Sequence, residues 1–259
     1  MAGEHLNITL IQPDIVWEDK EANFKQYEQL ISSITDKKEV VVLPEMFSTG
    51  FSMAPERLAE PMTGASVQWM KDMAAKYRCI LTGSLIIEEE GKYYNRMLWV
   101  QPDGNTGYYD KRHLFGYAGE NEHYTAGTRR LIAQVKGWRI CLLVCYDLRF
   151  PVWARNQDEY DVLIYVANWP QRRSLAWKTL LQARAIENMS YVVGVNRVGI
   201  DGKDLPYSGD SSVFDPLGAT LWQQSDSVAV HTVTLSKDVL SDARSHFPFL
   251  KDGDKFMFL

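Results

Sequence analysis

Short runs of Val, Ile and Leu recur along this chain, and most are followed by a stretch with apolar residues at helical spacing, an alternation that restricts it to the α/β class. Strand-like runs cover residues 6–12, 39–43 and 79–88, with helix-like ones at 20–33 and 65–76. In the second of these helices Val67, Met70 and Ala74 share one face, and Thr63-Gly64 stands before it as a start signal. Residues 93–101 and 106–110 are joined by Pro102-Asp103-Gly104-Asn105, the turn chemistry of antiparallel strands, so a mixed sheet is expected. Later come strands at 162–167, 191–198 and 211–214, a short helix at 152–156 opened by Pro151, and a long helix at 174–187. Residues 199–209, rich in Gly, Asp, Lys and Pro, read as a surface loop. No linker or repeat divides 1–259, so one domain is expected. Its apolar tail, from about residue 246, should dock on the body or on a partner subunit.

Composition excludes several classes. With 46% hydrophobic and 24% charged residues and no apolar run near ~18 residues, the chain reads as globular rather than membrane-spanning. A net charge of -5 with scattered Lys and Arg offers no basic stripe to a nucleic acid or a membrane surface. The first seven residues lack a basic, then apolar leader, and three cysteines make no even disulfide framework, so a reducing, cytoplasmic setting is expected. Cys141 and Cys145 are four apart on a strand, which at about 3.3 Å per residue puts them beyond the roughly 7 Å reach of a disulfide.

Three chemically useful residues each leave a strand-like run. Cys145 follows Gly137 to Val144 and opens Cys145-Tyr146-Asp147-Leu148-Arg149-Phe150-Pro151, which reads as a sharp turn into a helix. Glu45 follows Leu43-Pro44, and Lys111 follows Tyr109-Asp110. A thiol at such a turn can be held clear of the sheet with backbone N–H groups aimed at what it attacks. Taken alone, a free cysteine is equally well explained by packing, which is the reading for Cys79 and Cys141. A carboxylate walled by Met46, Phe47 and Phe51 suits a general base, and a lysine suits an oxyanion, although both also fit solvated surface charge. His113 is the competing partner for the thiol. Glu120 and Glu122 read as loop charges or as aids to a substrate amine or water. The five histidines show no metal-binding spacing, and no phosphate loop or Gly-x-Ser-x-Gly elbow occurs, so neither metal nor organic cofactor is expected.

With Pro44-Glu45, Lys111-Arg112-His113-Leu114-Phe115 and Cys145 to Pro151 in this order, the chain resembles the carbon-nitrogen hydrolase (nitrilase) superfamily. Ile11-Gln12-Pro13, Ala167-Asn168-Trp169-Pro170, Arg184 to Asn188 and the strand end at Asn196 extend the likeness over most of the chain. The resemblance implies a four-layer α-β-β-α sandwich with a catalytic triad of Glu45 as base, Lys111 as oxyanion stabiliser and Cys145 as nucleophile. It implies a second glutamate, Glu120 or alternatively Glu122, and a homodimer formed through residues 151–156 and 174–188. The segment around Trp169, with Trp177 and Leu180 to Arg184, looks most like the omega-amidase branch, which hydrolyses the terminal amide of short 2-oxo dicarboxylic acid monoamides. Alternatives are a nitrilase or N-carbamoyl amino acid hydrolase of the same fold, and a non-catalytic dimer that binds a metabolite or protein. On this reading the Tyr146 N–H helps hold the oxyanion, Arg172 or Arg173 binds a substrate carboxylate, and Arg149 pairs with a nearby structural carboxylate. Phe47, Phe115, Tyr117 and Trp169 are candidates for the pocket wall.

Overall fold

Runs of β-branched residues build two sheets, and the amphipathic segments between them cover the outer faces. The computed structural model describes residues 4–257. The first sheet is assembled from β1 (His5–Gln12), β2 (Val40–Val42), β3 (Ile80–Glu89), β4 (Lys92–Val100) and β5 (Thr106–Asp110), with α1 (Lys20–Ser32), α2 (Pro55–Leu58) and α3 (Ala65–Tyr77) between them. Asp19 caps α1 by accepting the Ala22 N–H at 3.0 Å, and α3 stops where Arg78 turns left-handed. The second sheet contains β6 (Leu131–Val135), β7 (Trp138–Val144), β8 (Val162–Val166), β9 (Tyr191–Val195), β10 (Val198–Ile200), β11 (Pro206–Phe214) and β12 (Thr220–Ser225). Between its strands lie α5 (Pro151–Ala154) and α6 (Ser174–Asn188), while the single turn α4 (Glu120–His123) precedes it. The chain then returns: β13 (Ala229–Ser236) pairs antiparallel with the whole length of β1, and α7 (Lys237–His246) follows.

Both sheets are parallel at the centre and antiparallel at the edges, as expected for a mixed sheet. The pleat sorts the core. Val40 and Val42 enter the apolar cluster shared with the second sheet, whereas Val41 joins the one shared with α1 and α3. Trp177, Leu181 and Ala185 of α6 cover the second sheet from outside, which completes the α-β-β-α layering. No described helix is long and apolar enough to cross a membrane.

Two readings from the sequence need correction. The strand expected at 191–198 breaks after Val195, because buried Asn196 and Arg197 turn from the ladder to side-chain partners: Asn196 donates to the Trp169 and Gly209 carbonyls, and Arg197 to Asp14. The surface loop at 199–209 is partly strand, since β10 pairs with the start of β11. The tail runs beside Arg155 and Gln157, whose amide donates to the Asp254 carbonyl at 3.2 Å, yet Phe247 and Phe249 stay half exposed. Residues 258–259 lie outside the described residues.

Candidate active site

The strand directions bring the three functional ends together. β5 is antiparallel to β4 and β4 to β3, so β5 runs the same way as β2 and both finish at one edge of the first sheet. In the second sheet Val144, Val166 and Val195 are in register, which places Cys145, Asn168 and Asn196 just past a common edge. Close approach of backbones is built in. A Cβ on Gly83 would meet that of Leu43 at 2.8 Å, and one on Gly127 would lie 2.1 Å from the Asp110 carbonyl oxygen.

Glu45, Lys111 and Glu120 are fully buried and joined. The Lys111 Nζ lies 2.9 Å from Glu45 Oε1 and 3.0 and 2.9 Å from the two oxygens of Glu120. Glu122 is exposed, so Glu120 is the residue that reaches the centre. Glu45 Oε1 also accepts from the Asn95 amide at 2.8 Å, and Oε2 accepts the Asn168 N–H at 2.8 Å. Oε2 therefore keeps an open lone pair, while Oε1 already takes two donors. Glu120 differs. Its oxygens accept Lys111 twice, Asn95 at 3.1 Å and the Phe115 N–H, which leaves no vacancy for a water proton. A substrate water therefore finds no free acceptor on Glu120, whose bonds hold Lys111 in place.

Electrostatics follow from this packing. Burial pushes the Cys145 thiol well above its usual range, as do the charge of Glu45 and their hydrogen bond, with Lys111 opposing. Burial lowers the affinity of Lys111 for its proton, but the two glutamates outweigh it and hold the ammonium strongly protonated. For Glu120, burial first and then Glu45 push the carboxyl upward against Lys111. The thiol is thus kept as an acid beside its acceptor.

Cys145 starts a 3-10 turn, Cys145–Arg149, in a left-handed conformation with φ 46°. For a non-glycine residue this conformation costs of order 1–3 kcal/mol and must be held by its surroundings. Asp147 does much of that holding. It accepts the Val144 N–H at 3.0 Å, the Tyr109 hydroxyl at 2.7 Å and the His113 N–H at 3.0 Å, which ties the turn to the segment carrying Lys111. The His113 ring faces Asp147 through Nδ1 at 2.8 Å and stacks on Phe150, so it serves this bracket rather than the thiol. Cys79 and Cys141 lie in the apolar core, where burial pushes their thiols up to about 11 and about 12.

A pocket opens over the thiol, lined by Phe51, Phe115, Tyr117, Tyr146, Trp169 and Asn168 among others. Phe47 belongs to the core instead, packed on Tyr27 and Trp69 at 5.4 and 5.7 Å, because the turn that follows β2 points it to the helix side. Arg149, Arg172, Arg173 and Lys203 also line this pocket. Arg173 lies over the Phe115 ring and Arg149 over Trp169, both at 5.0 Å. The carboxylate partner expected for Arg149 is absent among the described residues, since its guanidinium finds an aromatic face instead. Among the described residues Asp201 is the one acid lining the pocket, and it is occupied by the Lys203 and Leu205 N–H groups and the Tyr207 hydroxyl. Sequence reasoning missed this 201–207 wall, along with Asn95 and the contacts of Asn168 to Glu45. Among the described residues no group of three His, Cys, Asp or Glu is placed to hold a metal ion.

A family model for carbon-nitrogen hydrolase matches residues 7–244. The chain is 46% identical to an omega-amidase, YafV, of Escherichia coli strain K12, with 97% of this chain and 98% of that one covered. It is 30% identical to a 2-oxoglutaramate amidase of Bacillus subtilis over 97% and 98%. A CN-hydrolase superfamily protein of Xanthomonas campestris, solved with an arsenic adduct in its active site, superposes with a TM-score of 0.96 at 43% identity, covering 99% of this chain and 100% of that one.

Proposed function

Because the chain belongs to the carbon-nitrogen hydrolase family, we infer that it is an omega-amidase, releasing ammonia from short 2-oxo dicarboxylic acid monoamides such as 2-oxoglutaramate and 2-oxosuccinamate. It is a hydrolase acting on amides. The observation that carries the substrate class is the charge of the pocket: Arg149, Arg172, Arg173 and Lys203 surround the approach to Cys145, and the one acid among them is internally engaged. Such a mouth attracts a carboxylate, and a guanidinium can bind one through two hydrogen bonds. Crowding points the same way. Burial and the neighbouring charges of Arg172 and Arg149 lower the affinity of Arg173 for its proton, a cost that a bound carboxylate relieves.

In the reaction Glu45 takes the thiol proton at Oε2 as sulfur attacks the amide carbon, so the thiolate forms only as it is used. The carbonyl electrons move to oxygen. Two of the Lys111 contacts go to one Glu120 carboxylate and can be made by a single bifurcated N–H, which frees another for this oxyanion. The Tyr146 N–H, in the first turn of its 3-10 helix, has no carbonyl behind it within that turn and supplies a second donor. Glu45 then returns the proton to the departing ammonia. Water, deprotonated by Glu45, attacks the thioester, and collapse to the dicarboxylate expels the thiolate, which recovers its proton.

A panel of amides, nitriles and N-carbamoyl compounds scored for ammonia release tests the reading, with 2-oxoglutaramate expected to turn over fastest. Faster release from nitriles or N-carbamoyl compounds would replace it with one of the other activities of the fold. Arg173→Met removes a charge-assisted contact worth roughly 1.5–3 kcal/mol, so KM for 2-oxoglutaramate should rise about 10-fold to 100-fold with kcat within a few fold. An unchanged KM would remove Arg173 from the carboxylate site.

The chain is further proposed to act as a homodimer. Val152 on α5 and Leu175 and Ile186 on α6 are 53%, 78% and 50% exposed, an apolar set beside the nucleophile turn that a second copy would cover together with the tail. Light scattering at micromolar concentration should return twice the monomer mass, and a monomer there would refute the dimer. All three cysteines are free, which suits a cytoplasmic setting.

A further inference from the structure

Asn95 on β4 is fully buried, and both hydrogens of its amide are used: one goes to Glu45 Oε1 at 2.8 Å and the other to Glu120 Oε1 at 3.1 Å. Its backbone carbonyl accepts the Lys111 N–H at 3.0 Å. The same residue therefore touches all three members of the charged cluster. Its Oδ1 has no partner although it is buried. A buried acceptor left unmade is unfavourable, and rotating the amide to satisfy it would turn oxygen toward two carboxylates, so the orientation is held by the need for donors. Two buried carboxyl groups share one ammonium here, and the N–H dipoles of Asn95 stand beside Lys111 as a second bridge between them. We propose that Asn95 is a positioning residue that fixes the spacing of Glu45 and Glu120 and, by occupying Oε1 of Glu45, leaves Oε2 to face the thiol. This rests on the amidase reading of the site. The groups facing Glu45 are Lys111, Glu120, the Cys145 thiol and the Asn168 N–H, with the Tyr124 hydroxyl, bonded to the Ser52 carbonyl, in the same field.

The sign follows directly. Removing donors from a carboxylate, or adding a like charge, disfavours its ionised form and raises its pKa. Asn95→Asp keeps the shape and does both, so the acid limb of kcat/KM should move up by at least about one pH unit, with kcat down about 100-fold and KM within about 3-fold. Asn95→Ser, which removes the bridge without adding charge, should move the limb the same way by less and serves if the aspartate variant does not fold. A mere space-filling role predicts an unmoved acid limb in whichever variant folds, and that result overturns the proposal. The rate of Cys145 alkylation by iodoacetamide against pH reads the same couple without turnover, and it should fall in either variant at neutral pH. An unchanged profile there also overturns the assignment. If the wild-type protein releases no ammonia from any amide, the amidase reading fails while the alkylation profile still decides on Asn95.

Discussion

Cys145→Ala reduces ammonia release from 2-oxoglutaramate to the assay background, a loss of about 10⁴-fold or more, on the scale seen when a nucleophile is removed. The fold should survive. The thiol is small, and it lies at the floor of the pocket with 8% of the residue exposed, so truncation opens little new cavity. The left-handed turn depends on Asp147 and its partners rather than on sulfur. Cys145→Ser should be nearly as inactive, because a carboxylate in the position of Glu45 can accept a proton from a thiol far more readily than from an alcohol. Circular dichroism and melting should match the wild type. Retained wild-type turnover in the alanine variant would sink the thioester scheme, whereas loss of activity with loss of fold would leave Cys145→Ser to decide.

Lys111→Met should be damaging twice over. Removal of one oxyanion donor costs about 100-fold to 1000-fold in kcat. The second effect is on stability, since Lys111 is 1% exposed and its removal leaves Glu45 and Glu120 buried with no counter-charge. Breaking such a pair costs about 3–5 kcal/mol, which in a chain of this size lowers Tm by roughly 5–15 °C. The pH dependence has a definite sign. Without the ammonium the buried Glu120 carboxyl, already held above its usual range, is pushed further up, so the variant loses stability as pH climbs from the unfolded value of about 4.3 through that raised folded value. The melting deficit of Lys111→Met relative to the wild type should therefore be smaller at mildly acidic pH than at pH 8. A deficit that is constant with pH would show that Lys111 does not neutralise the pair.

Much of the architecture could be read from residue order because strands and turns are local. The apolar run at 39–43, the 3.6 spacing of α3 and the turn residues at 102–105 involve neighbours only, and each lies where expected within a residue or two. The placement of Glu45, Lys111 and Cys145 at strand ends was legible for the same reason. By contrast β12, β13 and α7 had no reading from the sequence, and the pairing of β13 with β1 joins residues more than 200 positions apart.

What residue order determined on its own was the class of fold, the three reactive side chains and the family they resemble, since each depends on a short segment and its type. The tertiary structure alone decided which polar groups share a site. It chose Glu120 over Glu122, moved Phe47 to the core and Arg149 onto Trp169, gave His113 to Asp147, and brought in Asn95 and the 201–207 wall. The physical reason is that a buried donor is satisfied by whatever acceptor packing brings within about 3 Å, and the Asn168 N–H that reaches Glu45 lies 123 residues from it along the chain.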